Sequence, residues 1–343
     1  MKRYFFRLTS YLFLLTATLF FLTSCEYKEL CYDHSHWAEV RVVFDWTGNV
    51  TKSSLAPEVA GAGMTVLFYN MEQPGAEPIR YDLPGRQGGT VRLLPGTYRA
   101  LAYNYDTETI LYRGMEDISA LEAYTRVSSI EEGTQLSRSG MPRATQTENE
   151  PVILEPDPLW GASSEAFTLK LDEKDVNGTI PTTVITMHPT SRVYEVTVNI
   201  HDVPNLQYTS QIGGALSGLA PSVWMESAEV GEGAVTEAFT AAAIDEQTLQ
   251  MHFRIFGHCP HLKEGDANSH LLTVYAILAD GSKWYYIVDV TDQMHGTVPD
   301  PDHDDHTIDI EVDGLPIPKP IVNGSGFQPT IDGWQGIEIE VGM

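Results

Sequence analysis

Short runs of alternating apolar and polar residues recur along the chain from residue 37 onward. In the first of them, Val40, Val42 and Phe44 alternate with Arg41, Val43 and Asp45. A period of two is typical of a strand with one buried face. The same pattern, or enrichment in β-branched and aromatic residues, predicts further strands at 63–69, 90–94, 97–105, 166–171, 183–187, 192–200, 250–255, 271–278, 283–290 and 307–312.

Turn residues between these runs indicate how the strands connect. Pro95–Gly96 and Asp280–Gly281 each separate two predicted strands, and both pairs favour hairpins because glycine accepts a positive φ. A short helix is predicted at 117–124. Residues 127–151 are rich in Ser, Thr, Glu, Gly and Pro, and they predict a long mobile loop.

Evenly spaced short strands without a helical period predict an all-β protein made of two tandem β-sandwich domains. Three prolines between residues 151 and 158 mark the predicted boundary. We therefore expect an N-terminal sandwich over 37–150 and a C-terminal sandwich over 151–343.

The first 24 residues differ from everything that follows. Lys2, Arg3 and Arg7 precede a stretch, residues 8–22, that is almost wholly apolar, and Thr23–Ser24 precede Cys25. A basic start, an apolar core and small residues before the cut predict a signal peptide over 1–24. The apolar stretch is short for a membrane span, which needs about 20 residues.

A cysteine directly after those small residues resembles a bacterial lipobox. That resemblance implies cleavage before Cys25, diacylglycerol on its thiol and an acyl chain such as palmitate on its amine. Several acyl chains anchor a protein durably, whereas one chain binds only marginally. We therefore expect lipidation at Cys25, a polar tether over 25–36 and no spanning helix in the mature chain. A plain signal peptide or a single membrane helix is the alternative.

Charge limits the range of partners. The 343-residue chain carries a formal net charge of −26, and removal of the three basic leader residues leaves −29. Nucleic-acid binding depends on Lys and Arg contacts with phosphate, so a nucleic-acid partner is not expected. The simplest role of the acidity is solubility at high density on a surface.

The sequence predicts neither an enzyme nor a cofactor. It contains no G-x-S-x-G, G-x-x-x-x-G-K-[ST] or H-E-x-x-H motif, and no G-x-G-x-x-G before a helix. Cys31 and Cys259 could pair in an oxidising compartment, but two distant cysteines make no disulfide framework, and the question stays open.

Two histidine groups are weak candidates for metal ligands. His258 and His261 flank Cys259, and His303 and His306 lie among aspartates. A zinc site needs three or four ligands with supporting partners, and an acidic turn is commonly only solvated. No metal is therefore expected at either group.

Exposed aromatic residues could instead bind sugars. Trp284 and Tyr285 are neighbours on a predicted strand, so they face opposite ways and one of them could be open for stacking on a ligand. Burial of both faces in a sandwich is the commoner situation, because aromatic residues dominate protein cores.

The segment 193–224 is more specific. It leads from a strand through HDVPNL to Ala215–Leu216–Ser217–Gly218–Leu219–Ala220, where small residues would let the backbone lie close to a sheet with two leucines as plugs. This segment resembles the fimbrillin superfamily (FimB/Mfa-like) of outer-membrane lipoproteins from Bacteroidales-type bacteria. Similar short matches are 37–46, 94–104 and the closing strand 333–341.

This resemblance implies two transthyretin-like sandwiches and a subunit of surface fimbriae that pairs with other subunits by strand exchange. In this family, pilins are trimmed after an Arg or Lys in an early loop. Arg138 and Arg143 lie too late in the chain to match that site. The resemblance therefore favours a lipid-retained fimbrial anchor or accessory subunit on the outer membrane. A stand-alone surface lipoprotein that binds carbohydrate or a host ligand is the alternative, and a metal-dependent hydrolase is a third, less favoured one.

Overall fold

The structure, a computed structural model, describes residues 37–47, 63–136, 140–170, 182–259, 269–296, 306–320 and 333–339. The predicted leader, Cys25 and the tether lie outside the described residues. Those described contain two short α-helices, α1 (Ile130–Thr134) and α2 (Thr291–Gly296). In chain order the strands are β1 (Ala38–Phe44), β2 (Gly63–Asn70), β3 (Ile79–Pro84), β4 (Gly88–Leu93), β5 (Gly96–Asn104), β6 (Ile110–Arg113), β7 (Glu122–Thr125), β8 (Val152–Ile153), β9 (Trp160–Ser163), β10 (Phe167–Leu169), β11 (Thr183–Met187), β12 (Thr190–Ser191), β13 (Tyr194–His201), β14 (Thr209–Leu219), β15 (Ser222–Trp224), β16 (Val235–Thr240), β17 (Ala242–Ala243), β18 (Leu249–Ile255), β19 (Leu271–Leu278), β20 (Lys283–Asp289), β21 (Thr307–Asp313) and β22 (Trp334–Ile339).

The first sandwich consists of two sheets. One has the order β11–β1–β4, and the other has the order β12–β9–β5–β2–β3, with β10 also paired to β5. The alternation in β1 buries Val40 and Val42 against the second sheet, as a period of two requires. Phe68, Tyr98 and Met187 complete a core that both sheets share.

The second sandwich repeats this plan on a larger scale. Its sheets have the orders β17–β18–β13–β21 and β22–β20–β19–β14–β16–β8. Every residue of β19 is buried, because this strand lies inside its sheet and is covered on both faces. The core between the sheets includes stacked Phe239 and Phe253, whose ring centroids lie 3.8 Å apart.

A third, small sheet joins the two sandwiches. Its order is β15–β7–β6, so it pairs a strand from residues 222–224 with strands from the first half. A buried cluster beneath it combines Leu67 and Trp160 with Val223, Met225 and Phe256. The two sandwiches therefore share one hydrophobic contact region.

The prediction of an all-β, multi-sheet fold is confirmed. The Asp280–Gly281 hairpin is also confirmed, since β19 and β20 pair across it and Gly281 has a φ of 82°. The Pro95–Gly96 hairpin is wrong. There the chain crosses from the β4 sheet to the β5 sheet, and neither strand pairs with the other.

The predicted helix at 117–124 is also wrong. The chain makes only a 3₁₀ turn at Ile118–Ala120 and then forms β7. Pairing of β7 with two other strands outweighs a weak local helical preference, because tertiary context overrides propensity.

The region predicted as a mobile loop, 127–151, is packed where it is described. Ser129 caps α1 by accepting a hydrogen bond from the Glu132 amide. Ile130, Leu136 and Met141 are buried against the outer face of the sheet that contains β14 and β19. Sparse apolar residues thus suffice to cover a sheet face.

The structure differs from the predicted boundary at residue 150. Strands β9 to β12 pair with strands of the first sandwich, and Leu169, Ile185 and Met187 belong to its core. The prolines at 151–158 mark an extended passage between the sandwiches, after which the chain returns to the first one. After Ser191, the chain forms the strands of the second sandwich, apart from β15, which joins the small third sheet.

No described helix combines the length and the apolar character needed to cross a bilayer.

Candidate functional site

The small-residue segment that carries the family resemblance is β14, a central strand of the larger sheet. It pairs with β19 on one side and β16 on the other. Leu216 and Leu219 are buried in the core, as predicted. A Cβ atom on Gly214 would lie 2.5 Å from the Phe239 ring, so a larger residue would displace the stacked phenylalanines.

The end of β14 carries an irregularity that shapes the surrounding chain. Gly218 has a φ of 75°, and the register with β16 shifts between Leu216 and Leu219. A Cβ atom at Gly218 would lie 2.6 Å from the Ser269 carbonyl oxygen, so backbone contact and conformation both require glycine. The bend lets the Gly218 carbonyl accept a hydrogen bond from the Cys259 amide at 2.9 Å.

Three histidines meet beside this bend. They are His258, just after β18, His270, just before β19, and His295 on α2. One ring nitrogen of each lies within 4.8 Å of the corresponding nitrogens of the other two. The Nε2 atoms of His270 and His295 are 2.9 Å apart.

Backbone contacts fix two of the rings. His270 Nδ1 lies 3.2 Å from the Ser217 carbonyl oxygen, and His258 Nδ1 lies 3.3 Å from the Cys259 carbonyl oxygen. A carbonyl oxygen only accepts, so each of these Nδ1 atoms carries the proton and donates it. In the neutral ring, the lone pair then lies on Nε2.

A further chain of hydrogen bonds connects His270 to α2. The Thr291 hydroxyl accepts a hydrogen bond from the His270 amide at 2.9 Å and donates to Asp289 Oδ1 at 2.5 Å. The His270 carbonyl accepts from the Val290 amide. These bonds hold the first turn of α2, and with it His295, next to His270.

Burial keeps the inner groups of this region uncharged. The His270 side chain is fully buried, and burial lowers its pKa to about 4, with smaller contributions from the neighbouring histidines. Burial also raises the pKa of the Cys259 thiol. At neutral pH the region therefore holds a neutral imidazole and a protonated thiol.

Only part of the predicted histidine grouping appears in the described residues. His258 belongs to the cluster, whereas His261 and His303 lie outside the described residues. His306 lies elsewhere, with its ring centroid 4.8 Å from that of Tyr194. His270 and His295 were missed because they are far apart in sequence and match no ligand spacing; a polar residue directly before the wholly buried run 271–278 was the available signal.

Trp284 and Tyr285 face opposite sides of β20, as predicted, but both are half-buried. Trp284 packs against the core of the second sandwich, and Tyr285 packs with Trp334 in the cluster that α1 covers. Trp284 Nε1 is buried and has no hydrogen-bond partner among the described residues.

Comparison with known proteins assigns the chain to a family. Residues 24–240 match the sequence profile of a family described as "Domain of unknown function (DUF5119)". A curated relative, "Putative fimbrium anchoring subunit Fim4B" of Bacteroides ovatus, is 37% identical over 86 residues, which is 25% of this chain and 23% of the relative. The chain thus spans about a quarter of the length of the curated relative that it matches.

A solved structure shares the fold, and another aligns with it less well. A "putative adhesin" from Bacteroides ovatus aligns with a TM-score of 0.54 at 20% identity, covering 87% of this chain and 99% of that one. The fimbrial anchor protein Mfa2 of Porphyromonas gingivalis aligns with a TM-score of 0.47 at 12% identity, covering 81% of this chain and 90% of that one. The predicted likeness to fimbrial proteins of Bacteroidales-type bacteria is confirmed.

Proposed function

We propose that this chain, which belongs to the DUF5119 family, is a non-enzymatic anchor or accessory subunit of a cell-surface fimbria. The fimbrium-anchoring relative and the shared fold support a fimbrial or adhesive role at the cell surface. In this proposal, lipid at Cys25 holds the chain on the outer membrane, and an exchangeable strand joins it to other subunits.

The strand-exchange part of the proposal rests on the position of β22 at the edge of its sheet. Among the described residues, this strand pairs on one side only, in parallel with β20, and none of its residues is fully buried. Ile337 and Ile339 pack on the core from outside, while Glu338 is exposed. If β22 leaves, the edge of β20 offers unpaired backbone groups and apolar pockets two residues apart, which is what β-augmentation requires.

Peptide incorporation tests this proposal. A double variant, Ile337→Asp and Ile339→Asp, should weaken docking of β22 because it places two carboxylates against apolar surface. A fluorescent peptide with the sequence of residues 333–343 should then bind the variant chain at least about tenfold more tightly than the unaltered chain, as measured by anisotropy.

A matched control is Glu338→Gln on the exposed face of the same strand, which should leave peptide binding unchanged. Equal binding of the peptide to all three chains would count against an exchangeable β22.

Membrane fractionation tests the lipid anchor. Cys25→Ala removes the thiol that would carry diacylglycerol, so most of the variant should move from the membrane pellet to the soluble fraction. Cys31→Ala is the matched control and should stay with the membrane. Retention of the Cys25 variant on membranes would contradict the anchoring role.

The ligand-binding alternative would need an aromatic face that is open to solvent. Packing accounts for much of the surface of Trp284 and Tyr285, which favours the fimbrial proposal. A glycan array distinguishes the two: binding by the unaltered chain that is lost in a folded Trp284→Ala variant would support the alternative.

A further inference from the structure

The cluster of His258, His270 and His295 serves no part of the fimbrial proposal, yet its geometry is specific. The planes of His270 and His295 meet at 72° and those of His258 and His270 at 86°, so His270 meets both neighbours edge-on, while His258 and His295 are inclined by 31°. Such an arrangement brings ring nitrogens together at a common point. Simple aromatic packing does not require this.

An ordinary hydrogen bond is enough to explain the positions of two of the three rings. His295 Nε2 can donate a hydrogen bond to the lone pair on His270 Nε2 across their 2.9 Å separation. That bond satisfies a buried nitrogen, but it does not include His258, whose ring nitrogen also lies within 4.8 Å of the other two.

The Nδ1 contacts supply the second observation. Metal-binding histidines usually donate their other ring N–H to a carbonyl or carboxylate, which fixes the ring and directs the lone pair to the metal. His270 and His258 already make such contacts with the carbonyl groups of Ser217 and Cys259. Both rings therefore have the hydrogen-bonded orientation that metal-binding histidines usually have.

We propose that His258, His270 and His295 bind one divalent transition-metal ion, best matched by Zn²⁺. Three imidazole nitrogens are a donor set that suits zinc, with a water molecule in the fourth position. Zinc–nitrogen bonds of about 2.0–2.1 Å place tetrahedral ligand atoms roughly 3.3 Å apart. The separations found here, from 2.9 Å up to 4.8 Å, reach that value after small ring rotations.

An acidic groove reaches the chain on both sides of His270. Its lining includes Ser269, Leu271, Thr291 and the carboxylates Asp289, Asp292 and Glu338, but not the three histidines themselves. Negative charge along a groove raises the local concentration of cations. The bound ion would tie the end of β18, the start of β19 and α2 together at one end of the second sandwich.

Zinc titration of the full mature chain, free of any affinity tag and stripped with a chelator, tests the site. We expect one zinc per chain by calorimetry and a rise of Tm with zinc, because an ion that binds only the folded state stabilises it. His258→Gln and His295→Gln should each lower zinc affinity by about 100-fold or more, beyond the loss caused by an outer partner alone.

The control is His201→Gln, which alters a histidine on β13 that contacts Glu311 instead. It should keep the affinity and the Tm rise of the unaltered chain. Both cluster variants replace half-buried rings, and circular dichroism without zinc checks that they fold. Stoichiometric binding that persists in both folded variants, or no binding by the unaltered chain, would overturn the proposal.

The spectrum of Co²⁺ gives a readout independent of stability. The unaltered chain should bind Co²⁺ with the intense visible absorption of a four-coordinate site, and both cluster variants should lose that band. Weak octahedral absorption from the unaltered chain would contradict a three-histidine site.

Discussion

Glu237 is a buried carboxyl group without an adequate partner. It lies on β16, its side chain is fully buried, and its Oε1 has no hydrogen-bond partner among the described residues. Burial raises its pKa well above 4.5, and the nearby Glu155 adds to the shift, while Arg254 opposes it. Glu155 itself pairs with Arg254 at 2.7 Å, so the single cation is already engaged.

This residue should make the stability of the protein fall as pH rises. Between pH 4.5 and the raised pKa, the folded chain binds one more proton than the unfolded chain at this group, so folding is favoured at the acid end of that window. Glu237→Gln should remove this slope. Relative to the unaltered chain, the variant should therefore gain more unfolding free energy at pH 8 than at pH 5.

Urea unfolding of both chains at pH 5 and pH 8 measures the effect. Glu246→Gln, at an exposed position, is the control and should change neither value. An identical pH dependence in the Glu237 variant and the unaltered chain would show that this carboxyl is not the cause.

Gly218 combines a positive φ with close backbone contacts, and the two effects can be separated. Gly314 has nearly the same φ, 78° against 75°, but nothing lies within 4 Å of its Cβ position. Gly314→Ala should therefore lower the unfolding free energy by about 1 kcal/mol, the conformational effect alone. Gly218→Ala should lower it by about 2–4 kcal/mol, since Ser269 and His270 must also move.

Denaturant midpoints for the two alanine variants provide the comparison. Equal losses of unfolding free energy would mean that Ser269 and His270 move aside without lowering stability.

At the scale of elements, the strands that were predicted from alternation all pair, but other paired strands, such as β3, β14 and β16, were not predicted. Val40, Val42 and Phe44 indicate β1 because one face is buried, and the largely apolar run 271–278 indicates β19 because both faces are buried. Local pattern could not show which strands become partners. Pro95–Gly96 has the residues of a hairpin turn, yet the chain there passes between two sheets.

The histidine cluster was beyond sequence reasoning for the same reason. His270 and His295 lie 25 residues apart, and only the pairing of β19 with β14 and the position of α2 bring them to His258. Small residues at 213–220 predicted a backbone lying close against a sheet; Gly214 and Gly218 do have close neighbours, but the segment lies within the sheet as β14.

The covering segment 140–151 is held by Arg143. Its guanidinium donates to the Glu150 carbonyl at 2.7 Å, the Glu148 carbonyl at 3.1 Å and Thr236 Oγ1 at 2.5 Å. A protease must extend the chain around the bond that it cuts, so these contacts should protect the bond after Arg143. The other candidate, Arg138, lies outside the described residues.

Limited trypsin digestion can test this protection. Arg143→Lys keeps a trypsin site but loses the forked donor geometry, so cleavage after residue 143 should become at least about tenfold faster. Mass spectrometry of the fragments gives the rate, with cleavage elsewhere in the same chain as the internal control. Equal rates at position 143 would indicate that packing of Met141, not Arg143, protects the segment.

At the scale of the whole molecule, the two sandwiches are coupled through the shared cluster. Met225 from the second half is fully buried against residues of the first, and its carbonyl accepts hydrogen bonds from Arg192 Nε and Nη2, both at 3.2 Å. We therefore expect the two sandwiches to unfold together in one calorimetric transition, rather than one after the other.

Met225→Ala tests this coupling. It should lower the unfolding free energy by about 2–5 kcal/mol, as for other large-to-small changes in cores, while the rest of the shared cluster keeps a single transition. Val184→Ala, at an exposed position on β11, is the control and should change it by less than about 0.5 kcal/mol. Two separate heat-absorption peaks in the unaltered chain would contradict the coupling.

The parallel pairings have a consequence for the order of folding. Each joins an early strand to one made much later: Asn199 on β13, for example, donates a hydrogen bond to Glu311 on β21, 112 residues downstream. Contacts of such long range form slowly, because a large loop must close first. During synthesis, β13 has no permanent neighbour on that side until residue 313 has emerged, and β20 has no parallel partner until residue 339 has emerged. The second sandwich of a nascent chain therefore stays incomplete until almost the whole polypeptide has been made, whereas the first has all of its described strands by residue 191.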